Sequence, residues 1–240
     1  DLYFSDTEQE SLVRTIEDQQ EIKEIVEVDQ QLAMPEKVKG IYMTGDTFLD
    51  PTRREKLTHL VENSQLNTLV IDIQDPAGRF TFKTDNEFLK KIKLHPRALE
   101  QEKYSDLIEQ LQTKEIYTIA RIVTFQDSRI ANRFPELALK NIKGKNWRNW
   151  AGLSWLDITN QRAWQIPVLK ALQAEKVGFD EIQFDYIRFP SDGDVKKISY
   201  TNFPVNKTRS QILKEFYQYL SIQLNNLEIP ISIDLFGFTY

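Results

Sequence analysis

The chain has 240 residues, 40% hydrophobic and 28% charged, a composition typical of a globular protein with one sizeable core or two small ones. The formal net charge is -5 and no lysine- or arginine-rich run occurs, which argues against a nucleic-acid partner. No apolar stretch approaches the ~20 residues of a transmembrane segment, and the lack of cysteine excludes disulfides, thiol nucleophiles and cysteine-ligated metals.

Residues 1–37 are acidic, rich in glutamine and poor in large apolar side chains. We interpret them as an acidic N-terminal arm or linker helix that leads to a domain at residues 38–240. The first residue is Asp1 rather than methionine, so we expect a processed or trimmed product.

From Val38 onward, segments of strand character alternate with segments of helical periodicity. The predicted strands are 38–45, 68–75, 116–125, 179–189 and 230–238. The predicted helices are 52–64, 96–114, 128–140, 160–178 and 210–226. Pro96 is expected in a first helical turn, and Pro167 is expected to kink its helix or to shift its start.

Strands that alternate with helices predict a parallel sheet, either doubly wound or closed as a (β/α)8 barrel. Both faces of a doubly wound sheet are covered by helices and should be apolar, yet one alternating face of these strands is polar. The polar residues are Tyr42, Thr44, Asp72, Gln74, Arg121, Gln183, Asp185, Ser232 and Asp234. No nucleotide-binding glycine motif is present. We therefore predict an α/β fold of the (β/α)8 TIM type with about five strands present, and expect a fragment of a longer protein.

Active sites of such barrels lie at the C-terminal ends of the strands. This rule selects Asp72, Asp75, Arg121, Asp185, Arg188 and Asp234. It also selects Asp157 if the segment LSWLD is an inserted strand that ends at the same open end of the barrel. Paired carboxylic acids suit glycoside hydrolysis, in which one carboxyl is protonated and the other ionised. Taken singly, each residue also has a structural explanation: Asp185 could pair with Arg188, and Asp72 could cap a turn with Gly78.

The tryptophans allow two interpretations. Trp147, Trp150 and Trp155 lie within nine residues of a predicted loop, where they could present flat rings to sugars or fasten the loop to the barrel rim. Trp164 is expected in the core. The only histidines, His59 and His95, are expected on the surface, so histidine-dependent metal hydrolysis is unsupported.

We predict neither a metal nor another cofactor. Asp192 and Asp194, in the segment SDGD, could contribute to a calcium or magnesium site, but a turn is the simpler interpretation.

Six segments together resemble the bacterial "putative glycoside hydrolase domain" family of TIM-barrel proteins related to α-amylase-like glycosidases. They are KGIYMTG, NTLVIDIQDPAGRFTF, ARIVTFQD, GLSWLDITNQRAW, GFDEIQFDYIRFPSDG and ISIDLFGF, which follow one another between Val38 and Tyr240. The resemblance implies hydrolysis of an oligo- or polysaccharide, with a nucleophile at Asp185 and an acid at Asp234. It also implies a location outside the bacterial cell or in its envelope. Two residues depart from α-amylase-like barrels, which usually have glutamate where Asp234 lies and arginine where Gln183 lies.

The resulting hypothesis assigns the catalytic roles to Asp185 and Asp234. The substrate-binding residues are predicted to be Tyr42, Asp72, Arg121, Trp155, Asp157 and Arg188. The alternative is a non-catalytic carbohydrate-binding barrel of a cell-envelope assembly. Oligomeric state is not predicted.

Overall fold

The computed structural model describes residues 31–75 and 77–235. Residues 1–30 of the predicted N-terminal arm lie outside the described residues. The same holds for the end of the fifth predicted strand, from residue 236 onward. Residues 31–37 form neither helix nor strand, and the backbone amide of Leu32 donates to Asp180 Oδ1 at 2.6 Å. Across the described ranges, no helix is long and apolar enough to cross a membrane.

Seven strands and six α-helices are formed by the described residues. In chain order they are β1 Gly40–Met43, α1 Gly45–Phe48, α2 Pro51–Glu62, β2 Thr68–Asp72, α3 Gln101–Gln112, β3 Tyr117–Val123, α4 Ser128–Arg133, β4 Lys140–Asn141, α5 Gln165–Lys176, β5 Glu181–Asp185, β6 Ile198–Ser199, α6 Arg209–Gln223 and β7 Ile231–Ile233.

Five strands form one sheet in the order β1-β2-β3-β5-β7, and every neighbouring pair is parallel. The order follows the chain without reversal, whereas a doubly wound sheet reverses its order at a switch point. Successive right-handed crossovers in one direction place all connecting helices on the same side of the sheet. The architecture is therefore an incomplete (β/α)8-type barrel of five strands, as the sequence predicted.

The two faces of the sheet differ in chemistry. The face toward the helices is apolar and fully buried, and its residues include Leu69, Ile71, Ala120, Ile122, Ile182 and Phe184. Because side chains alternate along a strand, the intervening residues point to the opposite, concave face. That face carries the polar side chains, and Tyr42 there is 50% exposed.

Local sequence explains where several helices begin. Asp50 caps α2 by accepting from the amide of Arg53 at 3.1 Å, and a proline follows it in the first turn. Thr208 and Gln211 form a capping box at the start of α6. Pro167 shifts the start of α5, which is preceded by a 3-10 turn, as predicted.

One predicted helix start is wrong, because α3 begins at Gln101 and Pro96 lies outside it. The chain before α3 is held in a bridge in which the Lys83 amide donates to Leu99 at 2.8 Å. The Leu99 carbonyl accepts this bond from outside the helix, so the chain at Leu99 does not continue the helical hydrogen-bond pattern.

Residues 124–164 form a long insertion between β3 and α5. Its short strand β4 pairs antiparallel with β6, which follows β5 in the chain. Since β3 and β5 are neighbours and parallel, the insertion and the loop after β5 lie at the same end of the sheet. This is the C-terminal end, where barrel active sites are found.

Candidate active site

The centre of the site is an arginine between two acids on the concave face. Arg121 Nη1 donates to Asp72 Oδ1 at 2.7 Å, and Arg121 Nε donates to Asp185 Oδ2 at 3.1 Å. Arg121 Nη2 also donates to Asp185 Oδ2. Asp72 and Arg121 are direct register partners on β2 and β3, which explains why they meet. A buried arginine needs a carboxylate partner, and Arg121 has two.

Tyr42 completes this group from β1. Its hydroxyl donates to Asp72 Oδ2, and the Arg121 guanidinium lies 5.4 Å from the centre of its ring. Asp72 thus receives a proton donor on each oxygen. We name the four residues Tyr42, Asp72, Arg121 and Asp185 the arginine cluster.

Asp185 is fixed by its backbone as well as its side chain. Its carbonyl accepts from the amide of Thr124 at 2.9 Å, which ties the end of β5 to the end of β3. Its Oδ1 accepts from the amide of Tyr186 at 2.6 Å. The ion-pair partner of Asp185 is Arg121, whereas the Arg188 guanidinium lies over the rings of Trp155 and Tyr186.

Asp234 lies beside Asp185 on the neighbouring strand. Phe184 and Ile233 are register partners, so Asp185, the last residue of β5, lies beside Asp234, which directly follows β7. The Asp234 amide donates to the carbonyl of Phe184 at 2.9 Å, which continues the ladder. Backbones of paired strands are ~4.8 Å apart, so the two carboxyl groups leave the sheet as close neighbours.

Burial and neighbouring charges shift the pKa values of the side chains in this site. Burial raises the pKa of Asp234, and the negative charge of Asp185 raises it further, against a smaller opposing effect of Arg121. Burial also raises the pKa of Asp72, partly offset by Arg121 and the Tyr42 hydroxyl. The pKa of Tyr42 is raised by burial and by its bond to Asp72. The side chain of Asp185, paired with arginine, therefore lies next to an acid that retains its proton to higher pH than an ordinary aspartate does.

Trp155 is placed beneath the site rather than in it. The ring is fully buried, 5.7 Å from the ring of Tyr186 and 5.5 Å from the Arg188 guanidinium. A ring with no exposed surface cannot stack on a sugar, so the predicted substrate contact of Trp155 is corrected to a packing role.

Asp157 and Asp75 organise turns in the structure. Asp157 is buried and accepts from the amide and the hydroxyl of Thr159 at 2.9 and 2.7 Å. Asp75 accepts from the amide and the guanidinium of Arg79. The predicted contact of Asp157 with substrate is corrected accordingly, because its side chain is enclosed and its Oδ1 serves the turn. Burial raises the pKa of Asp157.

The other tryptophans divide between the two interpretations. Trp147 is buried and its indole nitrogen donates to the carbonyl of Asp194 at 3.1 Å, so it fastens the insertion to the loop after β5. Trp164 is in the core as predicted, whereas Trp150 is 79% exposed.

The two histidines differ in burial. His59 is exposed on α2, as expected. The prediction of a surface position for His95 is wrong, because its side chain is buried and its Nε2 contacts Asp46 Oδ1 at 2.9 Å. Asp46 follows β1, and this pairing across the fold supplies the polar partner that a buried imidazole needs. Within residues 31–75 and 77–235, no group of three or more potential metal ligands is found.

Unpaired buried polar atoms are concentrated at the same end of the sheet. Among the described residues, Gln74 Oε1, Thr124 Oγ1, Ser154 Oγ and Trp155 Nε1 are buried without a hydrogen-bond partner. Gln74 follows β2 and Thr124 follows β3, and the other two belong to the insertion. Each such atom costs free energy, and exceptions of this kind are found at functional sites.

Several buried charged residues were not identified from the sequence, among them Lys170, Asp127 and Glu181. Lys170 on α5 donates to Asp127 Oδ2 at 2.8 Å, and both side chains are fully buried. Glu181 lies on the concave face below Asp185 and accepts from the hydroxyls of Tyr117 and Ser232. The signal for Lys170 is its place in the apolar segment IPVLKALQ, where a lysine must find a partner.

The fold and the acids at its strand ends define a class, the (β/α)8-type barrels with an acidic C-terminal face. The sequence profile of a family described as "putative glycosyl hydrolase domain" matches residues 40–240. The chain belongs to this family. A search of curated proteins gave no match.

Solved structures agree with this assignment. A hypothetical protein from Ruminiclostridium thermocellum ATCC 27405 is similar with a TM-score of 0.73 and 30% identity, over 83% of this chain and 100% of that one. A chitobiase from Flavobacterium johnsoniae gives 0.61 and 14%, over 82% of this chain and 31% of that one. A maltogenic α-amylase from Thermotoga neapolitana gives 0.53 and 11%, over 82% and 46%. The chain therefore spans less than half the length of these two enzymes, whose likeness concerns the fold.

Proposed function

We propose that the domain hydrolyses glycosidic bonds of an oligo- or polysaccharide with Asp185 and Asp234 as the catalytic pair. The observation that carries the proposal is their position side by side on β5 and β7, one paired with Arg121 and the other with a raised pKa. Glycoside hydrolysis requires two carboxyl groups in opposite protonation states that flank the scissile bond.

Asp185 is proposed as the nucleophile or base. Its Oδ2 accepts from two nitrogens of Arg121, which stabilises the ionised form. Its side chain is 23% exposed, so a reacting carbon or a water molecule can approach it from the concave face.

Asp234 is proposed as the general acid. Burial and the charge of Asp185 raise its pKa, so it holds a proton for the leaving oxygen to higher pH than an ordinary aspartate does. When the proton is donated, Asp185 gives up its negative charge in the same step, either to a bond with the sugar carbon or to a proton taken from the attacking water. The repulsion that raises the pKa of Asp234 is then relieved, so the deprotonated Asp234 is tolerated until water completes the cycle.

Arg121 and Tyr42 are proposed to bind the sugar, and the buried Asp72 is proposed to hold them and, through Arg121, Asp185 in place. Tyr42 is half exposed on the concave face with its hydroxyl on Asp72. Its ring offers an apolar surface beside a polar edge, the combination that suits the two faces of a sugar ring. Arg188 is proposed to contribute from the loop after β5.

The separation of the two carboxyl groups decides the stereochemistry. Retaining enzymes place them ~5 Å apart and inverting enzymes ~6.5–9.5 Å apart, the extra space holding a water molecule. Both outcomes are compatible with neighbouring strands, and the anomeric form of the first product, observed by NMR, distinguishes them.

The proposal is tested by screening the wild type against a panel of glycans and repeating the reaction with Asp185→Asn and Asp234→Asn. Both variants should lose at least about 100-fold in kcat. Asp106→Asn is the matched control, because Asp106 is exposed on helix α3. Turnover by the Asp185→Asn variant at the wild-type rate would refute the assignment.

One observation favours a second candidate, a non-catalytic carbohydrate-binding barrel. The carboxylates of the arginine cluster already have hydrogen-bond partners within the protein. Both oxygens of Asp72 and both of Asp185 accept hydrogen bonds from protein donors. Such closed networks also serve structural roles. Calorimetry separates the two candidates: a glycan that binds but is never hydrolysed, with an affinity unchanged in Asp185→Asn, supports the binding module.

A further inference from the structure

Tyr186, the residue directly after Asp185, has an unusual backbone conformation. Its φ is 58°, in the left-handed region that residues with side chains rarely adopt. The other described non-glycine residue of this kind is Glu115, which is exposed after the end of α3, a common place for the conformation. Tyr186 instead ends a strand beside the proposed nucleophile.

The peptide between Asp185 and Tyr186 helps to set the direction of the Asp185 carboxylate. The Tyr186 amide lies 2.6 Å from Asp185 Oδ1, while Arg121 holds Oδ2. If β5 continued in extended form, this amide would take part in the ladder of the sheet. The chain instead leaves the strand through the left-handed turn, and the amide gives Asp185 a second fixed donor.

A stack of side chains holds Tyr186 in this conformation. The Arg188 guanidinium lies 4.9 Å from the centre of the Tyr186 ring, and Trp155 packs against that ring edge-on at 5.7 Å. Trp155 is itself anchored, because its carbonyl accepts from Leu139 and the next amide donates to Phe125, each at 2.8 Å. The stack thus links the insertion to the end of β5.

We propose that Tyr186 is a positioning residue, clamped by Trp155 and Arg188, whose backbone amide fixes the orientation of the Asp185 carboxylate. The catalytic consequence rests on the proposed function of Asp185, whereas the clamp itself can be measured without any substrate. Strained backbone next to a reactive group is a recognised way to pre-organise a site.

The clamp is tested by NMR on Tyr186→Phe and Tyr186→Ala. The three-bond amide coupling of residue 186 reports its φ, and hydrogen exchange reports the bond from its amide to Asp185. The Phe variant keeps the ring and should retain both values. The Ala variant keeps the β-carbon but loses the clamp, so its φ should become negative and its amide should exchange at least about tenfold faster.

Two further variants keep the test decisive if Tyr186→Ala fails to fold. Tyr186→Gly tolerates the left-handed conformation without a ring, so it should exchange faster than wild type but more slowly than the Ala variant. Arg188→Met removes the guanidinium above the ring, together with its hydrogen bond to Ser191 Oγ, and should accelerate the exchange of the Tyr186 amide. A positive φ and wild-type protection in both the Ala and Met variants would overturn the clamp.

The catalytic consequence has its own measurement. On a glycan that the wild type hydrolyses, Tyr186→Ala should lose about ten- to 100-fold in kcat with KM within a factor of two, because only the reacting group is displaced. Rescue by Tyr186→Phe supports the role, and an unchanged kcat in Tyr186→Ala refutes it. If the wild type hydrolyses no glycan, the proposed function fails while the NMR result still decides the clamp.

Discussion

Arg121 and Asp185 form an ion pair across the neighbouring strands β3 and β5, in which two guanidinium nitrogens donate to a single carboxylate oxygen. The third guanidinium nitrogen binds Asp72. One positive charge therefore serves two acids of the concave face, and a third acid, Asp234, lies next to them. With one positive charge among three acids, each proton that the group holds removes one unit of excess negative charge, which links its chemistry to pH.

Replacing Arg121 by methionine should destabilise the fold by about 3 kcal/mol, because Asp72 and Asp185 would remain at a largely enclosed site without their counter-ion. Urea unfolding measures the loss. Arg97→Met is the control, since Arg97 pairs with Asp46 and Asp50 at an exposed site and should contribute about 1 kcal/mol or less. Equal effects of the two substitutions would contradict a special role for Arg121.

The raised pKa of Asp234 predicts the alkaline limb of the pH–rate profile. A general acid must be protonated, so kcat should fall as pH rises through the pKa of Asp234. Asp234→Glu keeps a carboxylic acid and should retain this limb, whereas Asp234→Asn should lower kcat by about 100-fold or more and remove it. An alkaline limb that persists in the Asn variant would assign the acid role to another group.

The buried carboxyl of Asp157 should make stability decrease with pH. Its folded pKa is raised by burial, so between the unfolded value of about 3.9 and the folded value the folded state binds more protons than the unfolded state. Stability therefore falls as pH rises through this window. Asp157→Asn removes the titration and should gain stability relative to wild type from about pH 4 upward, measured by urea unfolding. A difference independent of pH would show that Asp157 titrates alike in both states.

Gly78 and Gly152 provide a matched pair for backbone strain. Both have positive φ, 81° and 76°, so alanine at either position carries the same conformational cost, about 1 kcal/mol. A β-carbon on Gly78 would lie 2.5 Å from Asp127 Oδ1, whereas at Gly152 it would meet nothing within 4 Å. Gly78→Ala should therefore lower the melting temperature more than Gly152→Ala. Similar shifts would mean that Asp127 moves aside freely.

The buried pair of Lys170 and Asp127 calls for a double-mutant cycle. Lys170→Met leaves Asp127 buried without its counter-ion and should cost about 3–5 kcal/mol. Asn at position 127 can still accept from the amides of Arg129 and Ile130, as the aspartate does. The double variant Lys170→Met with Asp127→Asn should then be more stable than Lys170→Met alone. Additive losses in urea unfolding would argue against coupling.

The alternation of polar and apolar residues was sufficient to predict the fold and the face that carries the site. Asp72, Arg121 and Asp185 have the same parity along their strands, and parallel register brings residues of equal parity together. The predicted strand bounds were too long at β5, because Tyr186 leaves the sheet through a left-handed turn. No local residue preference indicates that conformation at a tyrosine.

What the sequence did not predict depends on contacts between distant segments. Burial of His95 follows from Asp46, which lies 49 residues away. Burial of Trp155 follows from the folding of a long insertion over the strand ends. Hydrophobic periodicity describes single elements, so it carries no information on which loop covers which strand.

The insertion 124–164 gives the domain two separable parts. The acids belong to the sheet, while Trp155 and Trp147 belong to the insertion, which is secured to the barrel by Lys170 and by the pairing of β4 with β6. Surface loops accept changes of sequence and length more readily than strands do. An insertion exchanged between relatives, with its attachment points and Trp155 retained, should therefore alter which glycan fits the mouth while leaving the proposed bond-cleaving chemistry intact, a practical route to new specificities.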